Sequence, residues 1–249
     1  MRHFSTIISH EIRALLYSGS TYIAAVLFLM FMASIFVTLL DDYTRFPQET
    51  TPAAVFFQLF WIPVWFMVPL LTMRSLAEER RLGTLETLLT TSVSTTEVVL
   101  GKFFASYLLY LLLWGSTVGF HFILHYYAAD SRLLAPGPLI GGYLFIAVSG
   151  LLYIAVGIFA SSLTRSQLVA AIITFVMIVG LTVGIKELGT VQFLSHDMKT
   201  VAESIQVFQH LADFTNGIVD TQQIIYYVSG ATLALIFSIL GVEYKLLQG

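Results

Sequence analysis

Six uncharged apolar runs, at 22–40, 55–73, 103–127, 138–163, 167–185 and 223–242, organise this chain. Each is close to the ~20 residues that a helix needs to cross the hydrocarbon core of a bilayer, so each predicts a transmembrane helix. Ahead of them, Phe4, Ile7, Ile8, Ile12, Leu15 and Leu16 fall on one helical stripe, while Arg2, Ser5, Ser9, His10 and Arg13 fall mostly off it. That pattern predicts an amphipathic elbow helix within 1–21, lying in the membrane interface. Asp41, Asp42, Arg45 and Glu49 separate the first two runs, and Leu163-Thr164-Arg165-Ser166 leaves room only for a tight hairpin between the fourth and fifth.

Two polar pieces are longer. One is 74–102, between the second and third runs. The other is 186–222, where Met198, Val201, Ile205, Phe208 and Ala212 recur at helical spacing and predict an amphipathic helix on the outer surface or partway into the membrane. Gly217 then breaks the chain, and Asp220 with Gln223 three residues on reads as a capping-box-like start to the last span. The expected fold is therefore an all-α integral membrane protein. A single transmembrane domain fills 1–249, with six spans, an interfacial elbow and two folded polar segments.

Composition agrees. The chain is 57% hydrophobic and 11% charged, with a mean hydropathy of +0.84, against about 25% charged residues in soluble domains. There is no cysteine, which removes disulfide frameworks, thiolate metal sites and cysteine nucleophiles. The first long apolar run is of spanning length and is expected to act as an uncleaved anchor. With the N-terminus inside, the cytoplasmic pieces hold Arg2, Arg13, Arg74, Arg80, Arg81, Lys102, Arg165 and Lys245, and the external pieces hold Arg45, Arg132, Lys186 and Lys199. This imbalance favours both termini in the cytoplasm.

No Asp, Glu, Lys or Arg lies inside any of the six runs. Ion-coupled transporters generally need an ionisable group in the membrane, and acidic-ring cation channels need one at the pore, so both classes are disfavoured. The chain also lacks a G-x-x-x-x-G-K-[ST] phosphate loop, an H-E-x-x-H zinc motif and a G-x-S-x-G elbow. His121 and His125 stand one helical turn apart but have no third ligand nearby, and Ser195-His196-Asp197 is a string rather than a spatial triad. Gly115-x-x-x-Gly119 and Gly180-x-x-x-Gly184 are expected to permit close helix contact, and Pro63 and Pro69 to kink the second span. None of these carries chemistry.

The remaining signal is 74–102, which contains eight of the chain's 27 Lys, Arg, Asp and Glu residues. Leu82, Leu85, Leu88 and Leu89 make an apolar face on a short helix, with Glu86 off that face and Glu79, Arg80 and Arg81 just before it. Thr90 to Val93 reads as a turn, and Ser94-Thr95-Thr96-Glu97 as a capping box, Ser94 at N-cap and Glu97 at N3, that opens a helix running into the third span. Such a bracket fits a groove on a soluble partner; a charged loop that only enforces topology is the alternative.

The motifs Arg74-Ser75-Leu76-Ala77-Glu78-Glu79-Arg80, Gly83-Thr84-Leu85-Glu86-Thr87-Leu88-Leu89, Val93-Ser94 and Glu97-Val98-Val99-Leu100-Gly101-Lys102 resemble the signature of ABC-2 type transporter permeases. Asp213-Phe214-x-x-Gly217-Ile218-Val219-Asp220-Thr221 looks like the gliding-motility-type branch. The resemblance implies a membrane subunit of the bacterial cytoplasmic (inner) membrane, paired with a second permease, the same or related. It implies a separate ABC ATPase, which binds ATP and Mg, so this chain carries no cofactor or catalytic site of its own. In that branch a companion envelope protein stands beside the permease. Membrane lipid is the other expected partner, and nucleic acid is not one. The family's coupling helix falls on Gly83 to Leu89, with Glu78, Glu79, Arg80 and Arg81 in the ATPase contact zone. The family commonly has Pro before the Val-Ser step, where this chain has Ser92.

Overall fold

In the structure, a computed structural model, residues 2–45, 52–84, 94–127, 136–190, 201 and 204–246 are described. They are helical, with no strand among the described residues. The helices are α1 (Arg2–Leu16), α2 (Gly19–Arg45), α3 (Pro52–Gln58), α4 (Trp61–Thr72), α5 (Ala77–Leu82), α6 (Thr95–Ser116), α7 (Val118–Tyr127), α8 (Pro136–Leu163), α9 (Gln167–Val179), α10 (Ile185–Thr190), α11 (Val207–Thr215) and α12 (Thr221–Leu246). Five stretches are long and apolar enough to cross a membrane, and a sixth arises if the bent pair Pro52–Gln58 and Trp61–Leu82 counts as one span.

The pair bends by 50°, and the bend is not where the prolines first suggest. Pro63 has no N–H to give the Leu59 carbonyl. That carbonyl takes the Ile62 N–H instead (3.3 Å), and Phe60 N–H turns back to the Phe57 carbonyl (3.0 Å). The chain therefore breaks at Leu59–Phe60, which leaves Pro63 in the first turn of α4, where a missing donor costs nothing. Pro69 lies inside α4 without breaking it.

Helix α8 is the centre of the bundle. Its apolar stretch is 72% buried, against 22% for the span that starts with α9, and α3, α4, α6, α9, α11 and α12 all pack on it. Its glycines make this possible: a Cβ on Gly141 would run into the Phe214 carbonyl of α11. The paired glycines singled out from sequence behave otherwise. Gly115, Gly119 and Gly180 face open space within the chain, and Gly180–Gly184 forms a turn of π-helix. Inside that turn Thr182 accepts a hydrogen bond from Trp65 Nε1 of α4 (3.0 Å).

The polar segment before the last span also differs from its predicted register. Helix α11 begins at Val207 and buries Val207, His210, Leu211 and Phe214, while Ala212 is exposed. Counting only apolar residues hid His210, which belongs to the buried face. Its Nε2 donates to the Ser204 carbonyl (3.0 Å), leaving Nδ1 to accept from the Tyr227 hydroxyl (3.0 Å). Asp220 does cap α12, accepting the Gln222 N–H (2.9 Å), but Gln223 turns away and donates to Asp213 (2.7 Å). The box is half made. Met198 lies outside the described residues.

Candidate functional site

A short helix held by its neighbours forms the site. After α4, residues 73–76 turn and α5 follows. Its N-cap, Leu76, has no side chain that could cap it. Ser161 of α8 does so from across the bundle: its hydroxyl accepts the Leu76 and Ala77 N–H groups (both 3.1 Å) and donates to the Met73 carbonyl (3.3 Å). Arg80 returns the favour at the end of α8 by donating to the Ser162 carbonyl, a cation at a helix C-terminus. At Gly83 the backbone adopts a left-handed conformation (φ 71°), with the Gly83 N–H on the Glu79 carbonyl, and this ends α5.

Ionic bonds fix the other faces. Arg74 forks onto Glu78 (2.6 and 2.8 Å) and gives a third bond to the Ser18 hydroxyl (2.7 Å), just before α2. Helix α9 packs against α5 on the same side. Lys102 of α6, only 3% exposed, donates to Glu11 of α1 (2.8 Å) and to Glu79 of α5 (2.6 Å). A lysine this deep requires carboxylates to offset its lost hydration. Ile7 of α1 lies against Gly101, where a Cβ would stand 2.6 Å from Ile7 Cγ2, so the glycine lets α1 come close enough for Glu11 to reach Lys102.

The residues expected at the partner contact divide here. Glu78, Glu79 and Arg80 are half-buried and bonded inward, whereas Arg81, Leu82, Gly83 and Thr84 are exposed. Glu79, Arg80, Arg81 and Leu82 are within α5 itself. The expected helix with Leu82 on its apolar face is therefore corrected: Gly83 separates Leu82, which is 62% exposed, from the chain beyond. Leu85, Glu86, Leu88 and Leu89, with the turn at Thr90–Val93 and Ser92, lie outside the described residues. Ser94 and Glu97 form both bonds of a capping box at the start of α6 (3.2 Å each).

Sequence reasoning missed Glu11 and Ser161, and it counted Lys102 among the cytoplasmic charges of 74–102 without foreseeing its burial. A stripe that ignores residue type would have found Lys102, because Val98, Lys102, Ala105 and Leu109 line one buried face of α6. His121 is held by packing rather than by ligands. It sits among Phe56, Phe57 and Tyr143, with Nδ1 near the Thr117 carbonyl. Among the described residues no three His, Asp or Glu side chains gather as a metal site.

No curated protein matches the chain. The family model described as "ABC-2 family transporter protein" matches residues 39–243. That range covers α5, the capped start of α6 and all of α8, and extends through most of α12. The match spans well over half of the sequence and takes in most of the bundle just described, so the chain belongs to the ABC-2 transporter family, as a membrane permease component of an ABC transporter.

Proposed function

We propose that this permease does export work with ATP hydrolysed on a separate ATPase, and that the stroke enters through α5. The observation that carries the reading is the division of α5 into two sides. Its outer side, Arg81 and Leu82 with Gly83 and Thr84 after them, is exposed, while its inner side is bonded to α6 and α8 and through Lys102 to α1, and packs on α9. A body tied to so many helices passes a push at 83–89 to the bundle instead of absorbing it. Glu86, Leu88 and Leu89 complete the docking face in this reading, and the ATPase supplies ATP and Mg. The charged end then faces the cytoplasm, with both termini inside, and the membrane is the bacterial inner membrane. A second permease, the same or related, completes the transporter; the exposed apolar residues of α2 and α9, Val26, Met30, Leu168 and Val176 among them, supply surface for it and for lipid.

The test is co-purification with the candidate ATPase and measurement of its turnover. A stable complex whose hydrolysis depends on the permease supports the reading, and a chain that never associates with an ATPase overturns it. The firm seat of α11 on α3 and α8 favours a second reading: a scaffold for a gliding- or secretion-type envelope complex, with its companion protein bound outside. A hydrolysis-dead ATPase that still sustains the function would select the scaffold.

A further inference from the structure

Between α1, α5 and the start of α6 lies a polar cleft of ≈ 400 Å³, lined among others by Glu11, Ser18, Arg74, Glu79, Lys102 and Ser106. Three carboxylates, Glu11, Glu78 and Glu79, face two cations, Arg74 and Lys102. Pairing engages both cations, yet Glu79 Oε2 and Ser106 Oγ are each buried without a hydrogen-bond partner. Ser106 is 1% exposed and lines the cleft beside Lys102. A buried carboxylate oxygen and a buried hydroxyl left unmatched are costly. Together they ask for a cationic donor with several N–H groups.

The surroundings say where such a group comes from. The cleft opens beside α1, whose amphipathic stripe suits the interface where phospholipid headgroups lie. At its rim Tyr17 is 87% exposed and Leu82 62%. Leu15 lines both the cleft and a small apolar notch with Ile12, Leu16, Leu108 and Leu112, and Leu108 and Leu112 continue outward as exposed surface on α6. A polar pocket thus runs directly into an apolar track along a span. Arg74 uses three of its five N–H groups on Glu78 and Ser18, which leaves donors for a phosphate.

We infer that this cleft binds the headgroup of an aminophospholipid from the adjacent leaflet. The primary ammonium lies among the carboxylates of the cleft, with Glu79 Oε2 and Ser106 Oγ turning outward to meet it, the phosphate lies on Arg74, and an acyl chain follows Leu108 and Leu112. Bound there, the lipid bridges α1, α5 and α6. The inference uses the membrane placement of the bundle but not the ATPase reading, and its test needs no ATPase.

The experiment is native mass spectrometry of the full-length, delipidated chain in detergent, titrated with phosphatidylethanolamine, phosphatidylcholine and phosphatidylglycerol of identical acyl chains. Retention of the ethanolamine lipid about tenfold above the choline lipid is expected, because a trimethylammonium cannot donate the required bonds. Glu79→Gln and the mild Ser106→Ala should each erase that preference while overall lipid binding persists. Equal retention of the three lipids by the unmodified chain overturns the inference, as does a preference that survives both substitutions. Displacement of the lipid by equimolar phosphoethanolamine would assign the cleft to a soluble amine and also overturn it.

Discussion

Lys102 is the residue on which the junction depends most directly. It brings α1 and α5 onto α6 through two carboxylates while almost wholly withdrawn from solvent. Removing one member of such a buried set strands the others. Lys102→Met, which keeps the volume, is expected to lower stability by about 3–5 kcal/mol in denaturant unfolding from detergent, and adding Glu79→Gln should recover part of the loss. Unfolding of Lys102→Met at the unmodified midpoint would show that the cluster holds nothing together. At the opposite end, burial lowers the pKa of His210, partly offset by the Ser204 carbonyl and by the charges of Asp213 and Asp220. The folded state then holds fewer protons than the unfolded state just below the ordinary histidine pKa, so the stability it contributes is present above about pH 6.5 and is lost as pH falls. Hydrogen exchange of 207–215 is expected to lose protection as pH falls below about 6.5, after correction for intrinsic rates. Unchanged protection would contradict the buried neutral imidazole.

Helix α5 is too short to persist on its own propensity. Its order comes from Ser161, from Arg80 and from the ionic bonds around it. Ser161→Ala leaves the Leu76 and Ala77 N–H groups buried without an acceptor, a loss of about 1–3 kcal/mol, and limited proteolysis between 76 and 84 should accelerate. If α5 stays as resistant as before, Ser161 is not its cap. Beyond Gly83, Glu86→Arg and Leu88→Asp are each expected to weaken ATPase association about tenfold or more, as hot-spot residues do, with membrane insertion intact; unchanged association in both would remove 83–89 from the interface. At this scale, what the sequence made legible depended on whether a signal was local. The capping box at Ser94 and Glu97 needs only four residues, and it is present in full. Ser161 capping α5 joins positions 84 residues apart, which no local pattern encodes. The register of α11 shifted because His210 counts as polar in a pattern and as core in the fold.

For the whole molecule, apolar run length and the absence of charge within the runs were sufficient for an all-α membrane bundle, because lipid leaves the backbone few other solutions. Which helix sits at the centre was not readable in that way. Hydropathy does not single it out, since the spans that start with α2 and α9 are more apolar (mean hydropathy 2.7 against 2.3), and α8 is distinguished by glycines such as Gly141 that receive other helices, whereas Gly115, Gly119 and Gly180 face open space. The site was half legible. Charge density drew attention to 74–102, but the partition of α5 into inward-bonded Glu78, Glu79 and Arg80 and outward Arg81 to Thr84 required the positions of α1, α8 and α9.

In the proposed stroke α1 and α5 move as one body when the ATPase acts. With no native cysteine, pairs of spin labels can be placed without background. Tyr17→Cys with Leu82→Cys reports within the body, and Leu82→Cys with Ile218→Cys reports from the body to the opposite end; all three positions are exposed. Pulsed electron–electron resonance on the complex with its ATPase, with and without ATP, is the decisive measurement. An unchanged Tyr17–Leu82 distance and a shifted Leu82–Ile218 distance are expected, with Lys102→Met releasing the first. A Tyr17–Leu82 distance that changes with ATP in the unmodified junction, or a Leu82–Ile218 distance that never changes, would contradict the proposed stroke.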